Sequence, residues 1–283
     1  MSTQRLAKLI ASRGLASRRE AESWIRDGRV TIDGEVATSP ALTIDPSEVE
    51  IRVDGRVLPV EPHKVYYVLY KPKGFITGRE DPEGRRSVLE LVEDIGLRVE
   101  PVGRLDFDTE GVLLLTNDGD LANALTHPSN NVPKRYRAKV YRTPDARDIE
   151  AIQDGIFLDD GRTKPAKARI VDTTDTENAW IEITVTEGRN RLIRRMMAQL
   201  GHPVSKLRRE SFATIALGAL ERGQYRSLTA EELRRVKAIA EGERPEKSGR
   251  LHRKEGYAKP KPKPKRILGR KKRHLAKLNK KSR

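Results

Sequence analysis

The chain has no cysteine among its 283 residues, and only 3 methionines, 4 phenylalanines and 2 tryptophans. Without cysteine there are no disulfides and no thiolate metal sites, which suits a reducing compartment. No apolar run approaches the roughly 20 residues needed to span a bilayer, and no apolar signal segment opens the chain. A soluble, cytoplasmic protein with no membrane partner is expected. Familiar catalytic signatures are missing too. There is no phosphate-binding glycine loop, no dinucleotide fingerprint and no nucleophile elbow around a serine. The five histidines (His63, His127, His202, His252 and His274) have no metal-ligand spacing, and two of them, His127 and His202, precede prolines. No metal site is expected.

Charge is abundant, and its placement matters more than its total. The formal net charge is +16. Residues 244–283 hold 18 Lys and Arg against 2 Glu, whereas residues 1–243 hold 39 bases and 39 acids. The whole excess therefore lies in the last 40 residues, so a neutral body carries a basic arm. Such an arm suits a polyanion partner and adds salt-sensitive affinity. The segment Lys259-Pro260-Lys261-Pro262-Lys263-Pro264-Lys265 is extended and proline-rich, with little apolar surface to offset ordering entropy, and disorder is expected there in the absence of RNA.

The body divides at Pro59-Val60-Glu61-Pro62, which reads as a linker. Residues 3–60 form a small unit. Leu6, Leu9 and Ile10 fall at helical spacing, and Gly14 supplies a stop. Ser17-Arg18-Arg19-Glu20 is a capping-box pattern that opens a second helix, ended by Gly28. Arg29 to Ile32 reads as a strand, and Asp33-Gly34 as a tight hairpin turn. Arg5, Lys8, Arg13, Arg18, Arg19, Arg26 and Arg29 cluster on the helical part, a pattern that fits either a nucleic-acid reader or a solvated face. Residues 63–243 read as a larger α+β domain. Strands are expected at Val65–Tyr70, Leu113–Thr116, Arg135–Tyr141 and Trp180–Thr186. Helices are expected at Leu121–Thr126, Asp145–Asp154, Leu192–Leu200 and from Thr229 to about Ala240. Hairpin-like strands with scattered helices favour a mainly antiparallel sheet.

One acid stands out. Asp106 lies between Gly103 and Gly111, ahead of the apolar run Val112 to Leu115. The window 103–120 carries Asp106, Asp108, Glu110, Asp118 and Asp120 against a single base, Arg104. The window 187–210 carries Arg189, Arg191, Arg194, Arg195, Lys206, Arg208 and Arg209 against Glu187 and Glu210. If the two windows meet, an arginine can hold Asp106 ionised beside RNA phosphates, and an oriented carboxylate can act as a nucleophile. On the residues alone, a turn cap or a structural salt bridge is the alternative.

The string GRLDFDTEGVLLLTNDG over residues 103–119 resembles the signature of the RsuA/RluB group of RNA pseudouridine synthases. Lys134-Arg135-Tyr136 and the run from Glu187 to Met196 are similar to the group's two other motifs, in the same order. Residues 3–50 resemble an S4-type RNA-binding domain. One departure is Leu192, which stands where many members carry Gln. The resemblance implies an S4-type domain ahead of a mainly antiparallel catalytic domain that isomerises uridine in ribosomal RNA. It makes Asp106 the catalytic carboxylate. It has Tyr136 stack on the target base, Arg194 pair with Asp106, and Arg104 hold or replace the displaced nucleotide, with Lys134 also at the substrate. Arg5, Lys8, Arg18, Arg19 and Arg29 become the RNA-binding surface of the small domain. No cofactor is implied, and the expected partner is ribosomal RNA or a subunit assembly intermediate, met by a monomer. The accessory domain and long basic tail most resemble members acting on large-subunit RNA. A small-subunit enzyme of the group and a non-enzymatic assembly factor are the alternatives.

Overall fold

Leu6, Leu9 and Ile10 are buried along α1 (Leu6–Ser12), and Ala21 and Ile25 along α2 (Arg18–Arg26), which packs against it. The computed structural model describes residues 3–173 and 177–243. The expected disorder of 244–283 concerns residues outside those described. The capping box at Ser17 forms: its backbone N donates to Glu20 Oε2 (2.6 Å) and its Oγ accepts from Glu20 N (3.2 Å). β1 (Val30–Ile32) turns through Asp33-Gly34 into β2 (Glu35–Val36), with both turn residues at positive φ. That twist matches the strands it joins. Asp54-Gly55 repeats the device between β3 (Ile51–Val53) and β4 (Arg56–Val57). The four strands pair antiparallel in the order β2-β1-β3-β4, and Val30, Ile51 and Val53 close the core under the helices.

The second domain is built on one large sheet. Its strands are β5 (Tyr66–Lys71), β6 (Glu100–Val102), β7 (Glu110–Thr116), β8 (Lys134–Val140), β9 (Lys167–Thr173), β10 (Ala179–Val185), β11 (Val204–Phe212), β12 (Ile215–Ala216) and β13 (Tyr225–Ser227). The main path runs β9-β10-β8-β11-β7-β5-β13, with β6 added beside β7 and β12 beside β11. Every pairing is antiparallel except β11 with β7, where Arg208 meets Glu110 and Arg209 meets Gly111 in parallel. That single parallel seam joins the two halves of the sheet.

Each half has its own apolar cover. On one, Ile181, Ile183 and Val185 alternate inward from β10, as their spacing predicts. They pack on Ile152 of α4 (Ala146–Asp154) and on Ile193, Met196 and Met197 of α5 (Leu192–Gln199). On the other, Val68, Val112 and Leu114 meet Leu121 and Leu125 of α3 (Gly119–Thr126) and Val236 and Ile239 of α6 (Ala230–Ala240). The opposite faces of β5 and β7 carry Leu69, Leu113 and Leu115 onto Val88 and Val92, which lie in a 3-10 helical stretch.

Five strands of this sheet were not expected: β6, β9, β11 and the short β12 and β13. β6 contains Pro101, which is tolerated because the strand sits off the main path. β9 is an edge strand with a single buried side chain, Ala168. β11 is central yet reads as charged, because one of its inward residues is Arg209. The 3-10 stretch Val88–Ile95 also carries an unread capping box between Ser87 and Glu90.

Candidate active site

The loop between β6 and β7 rests on buried cations. Lys71 ends β5 with no exposed surface. Its Nζ donates to the carbonyl oxygens of Thr109 (2.9 Å), Pro72 (3.0 Å) and Asp106 (3.1 Å). Three carbonyls use all three donors of an ammonium. Burial pushes Lys71 down to about 8, against the upward pull of Asp106, Asp108 and Glu110. Thr77 Oγ1 donates to Leu105 O (2.8 Å) and accepts from Leu105 N (3.2 Å), and Thr109 N closes a turn onto Asp106 O (3.0 Å). The backbone around Asp106 is therefore held from below on several sides.

Gly111 sets how closely β11 approaches this loop. Its φ is +125°, and a Cβ there would run into the backbone of Arg209. With glycine in place, the Arg209 side chain slips under the loop, only 2% exposed. Its Nε donates to Val112 O (2.7 Å), and Nη1 reaches Arg104 O (3.5 Å).

Above these supports the Asp106 carboxylate stands half-buried, with no hydrogen bond or ion pair among the described residues. It faces a pocket of about 350 Å³, a volume suited to a small ligand or one nucleotide. Leu105, Leu192, Ile193, Leu207 and Phe212 supply apolar wall, Tyr136 an aromatic ring, and Arg104, Arg189 and Arg191 a cationic surround. Lys134 also lines the pocket, and its Nζ donates to Val132 O (3.0 Å). Burial, and then the nearby charges of Arg209 and Lys164, push Lys134 down to about 8. Glu187 lies in the same wall, buried, and its two oxygens accept from Lys164 N (2.8 Å) and Arg189 Nε (2.9 Å).

Residues 65–199 match the RNA pseudouridylate synthase family, and residues 4–49 match the S4 domain. The ribosomal large subunit pseudouridine synthase B of Bacillus subtilis (strain 168) is 42% identical over 240 residues, covering 84% of this chain and 97% of that protein. The chain belongs to the RNA pseudouridine synthase family. The enzyme of the same name from Salmonella typhimurium is 37% identical, with 84% of each chain covered. A solved pseudouridylate synthase structure superposes with a TM-score of 0.59 at 31% identity, over 82% of this chain and 99% of that one. The synthase fold and the leading S4 domain thus agree with the reading from sequence.

The acidic and arginine-rich windows of this synthase do meet, but with a different pairing. Arg194 was expected on Asp106. Instead its Nη2 binds Asp108 Oδ2 (2.9 Å) and Asp108 O (3.3 Å), while Nη1 donates to Val204 O (3.1 Å). Arg191 also reaches Asp108, at 3.5 Å. The cause is the turn at Asp106–Thr109, which sends the two acids of the loop in different directions: Asp108 toward α5 and Asp106 toward the pocket. Arg195 is drawn away to Asp159 and Asp160. Arg194 thus anchors the loop rather than lining the pocket, whereas Arg104, Lys134 and Tyr136 stand in the pocket with Asp106.

The cations of the S4 domain separate as well. Lys8 is paired with Asp120 of the catalytic domain (2.7 Å), and Arg29 is paired with Asp54 (2.6 Å) and stacked 4.7 Å from the Trp24 centroid. Lys8, Arg18 and Arg19 line a cleft of about 860 Å³ between the two domains. Arg5 is exposed at the start of α1, outside that cleft. Sequence reading missed Lys71 under the loop, and took Arg209 only as one cation of the 187–210 window. Both sit in strands beside catalytic motifs, and a lone basic residue ending an apolar strand was the signal for Lys71.

Proposed function

We propose that this synthase isomerises a specific uridine of large-subunit ribosomal RNA, with Asp106 as the catalytic carboxylate. The observation that carries the assignment is the Asp106 side chain itself: its backbone is clamped by Lys71 and Thr109, while its carboxylate is unclaimed and faces a nucleotide-sized pocket. A carboxylate with only a structural role would be using its oxygens on protein donors, as Asp108 does.

Pseudouridine is an isomer of uridine, so the pocket must hold the base through a complete exchange. The C1′–N1 bond breaks, a C1′–C5 bond forms, the C5 proton leaves and N1 gains one. Asp106 supplies the carboxylate for breaking the glycosidic bond. Tyr136 lies against the base and keeps it in place while it turns. The uridine has to leave its stack at a cost of a few kcal/mol, and Arg104, exposed at the edge of the pocket, is placed to hold the displaced strand. The large-subunit target is supported by the likeness to the two large-subunit synthases of Bacillus subtilis and Salmonella typhimurium. The S4 domain and the basic segment 244–283 supply salt-sensitive affinity for RNA, and a ribosomal RNA substrate puts the enzyme in the cytoplasm.

The test is to map pseudouridines in ribosomal RNA from cells with the protein, without it, and with Asp106→Asn. One large-subunit site should vanish in the second and third while RNA binding by the variant stays within about threefold. Retention of the modification with Asn at 106 would sink the assignment.

A further inference from the structure

Two basic residues face the same ring in the pocket wall, and neither makes an ion pair with an acid among the described residues. We propose that Lys134 and Arg209 form a cationic wall that receives a carbonyl oxygen of the target uracil and holds the negative charge that moves onto the base when its glycosidic bond breaks. This rests on the reading of the pocket as a uridine site.

The wall is a product of strand geometry. On β8, Lys134 and Tyr136 are two residues apart and share a face. Across the ladder Lys134 is paired with Phe212 and Tyr136 with Arg209. Arg209 and Phe212 are three apart, so a regular strand would send them to opposite faces. The register shift between Arg135 and Tyr136 accommodates an extra residue on β11 and brings both to one side. The result is a block of four side chains lining one pocket. The Arg209 guanidinium carbon lies 5.0 Å and Lys134 Nζ 5.6 Å from the Phe212 ring centroid.

The charges are incompletely satisfied. Arg209 Nη2 is buried without a partner. Lys134 gives one proton to Val132 O and has two more. Of the two acids that line the pocket, Glu187 is already engaged by Lys164 and Arg189, and Asp106 makes no ion pair with either base. Burying an uncompensated cation is costly, and holding two together is more so. An incoming oxygen acceptor relieves both, and a negatively charged one relieves them more. When C1′–N1 breaks, the bonding pair passes to the base and spreads over its carbonyl oxygens. Donors aimed there bind that state more tightly than the neutral uridine, so they raise turnover rather than affinity.

The full-length protein with Lys134→Met, Arg209→Gln and Arg209→Lys should be assayed on ribosomal RNA fragments at saturating concentration. Loss of one such donor should lower kcat by about 10²–10³-fold, with RNA affinity within about threefold of wild type and partial recovery in Arg209→Lys. Substrates carrying 2-thiouridine or 4-thiouridine at the target give the decisive readout. One thio substitution should slow the wild type yet cost the variants nothing further. Losses that simply add would overturn the proposal, as would weakened RNA binding with kcat intact. Lys134 is only half-buried, so Lys134→Met keeps the test valid should Arg209→Gln fail to fold. If the wild type makes pseudouridine and Asp106→Asn does not, while Lys134→Met turns over normally, this proposal fails and the functional reading stands. If the wild type makes none, the functional reading itself is wrong.

Discussion

The S4 domain and the catalytic domain use the same basic residues in opposite ways. In the S4 domain Lys8 and Arg29 sit at the surface, each held by an exposed acid, and Arg5, Arg18 and Arg19 are exposed. In the catalytic domain Lys71 and Arg209 are buried and bond mainly to backbone carbonyls, and Arg194 divides its guanidinium between Asp108 and two carbonyls. Surface cations add a field that salt can screen. Buried cations fix a backbone in one conformation, because the carbonyls they satisfy lose a donor if the segment moves. The first kind can draw in a polyanion, and the second holds the backbone that carries Asp106. Damage to the two kinds should therefore differ in size and in what it affects.

The largest effect belongs to the seam under the Asp106 loop. Gly111→Ala puts a methyl into the Arg209 backbone at a φ that L-residues rarely adopt. The β7–β11 pairing must open to admit it, and a loss of about 4 kcal/mol or more is expected in chemical denaturation, together with loss of turnover. Lys71→Met comes next. It removes a donor from three carbonyls, of which Asp106 O keeps Thr109 N, and should cost about 3 kcal/mol and reduce kcat through misplacement of Asp106. A pH series sharpens this. Lys71 sits at about 8 when folded and at the ordinary 10.5 when unfolded. Between those values the unfolded chain holds more protons, so wild-type stability gains with rising pH across that window. The Met variant lacks this gain, and the stability gap between the two should be wider at pH 10 than at pH 7. A constant gap would mean that Lys71 is not depressed.

These supports are also where sequence reading stopped. The alternation of Ile181, Ile183 and Val185, the box at Ser17 and the Asp33-Gly34 turn are local rules whose partners lie within a few residues, and each formed. Asp106 and Tyr136 could be singled out because long motifs surround them, and both line the pocket. Strand β11 was not, since Lys206, Arg208 and Arg209 break the apolar alternation, and only the fold shows that one arginine points inward. The partner of Arg194 was misjudged for a similar reason. Asp106 and Asp108 are equivalent by charge, and the turn between them decides which one meets α5. Contacts between distant segments depend on register and on bulges such as the one opposite Arg135, which composition does not encode.

A smaller effect is expected at the S4 end. Ser17→Ala removes the hydroxyl that accepts from Glu20 N and should cost about 1 kcal/mol. The loss is confined to α2, so kcat at saturating RNA should equal that of wild type, while apparent affinity falls as the S4 domain loosens. A fall in kcat would show that the two domains are coupled more tightly than their separate roles imply.

The smallest effect on stability is predicted where the two domains touch. Lys8 and Asp120 make an exposed pair, and such pairs contribute at most about 1 kcal/mol. Lys8 holds Asp120 below the usual carboxylate range, so the pair is ionised at neutral pH. It sits in the cleft that Arg18 and Arg19 also line, and an entering RNA strand would compete with Asp120 for Lys8. Asp120→Asn should therefore leave stability within about 1 kcal/mol of wild type. It should raise RNA affinity severalfold in low salt, by freeing one cation and removing one repulsive charge. Binding titrations at low and at moderate salt would separate the cases, because a newly engaged lysine steepens the salt dependence by about one counterion. An unchanged slope would mean that Lys8 stays outside the RNA path, leaving Arg18 and Arg19 as the cleft's contribution.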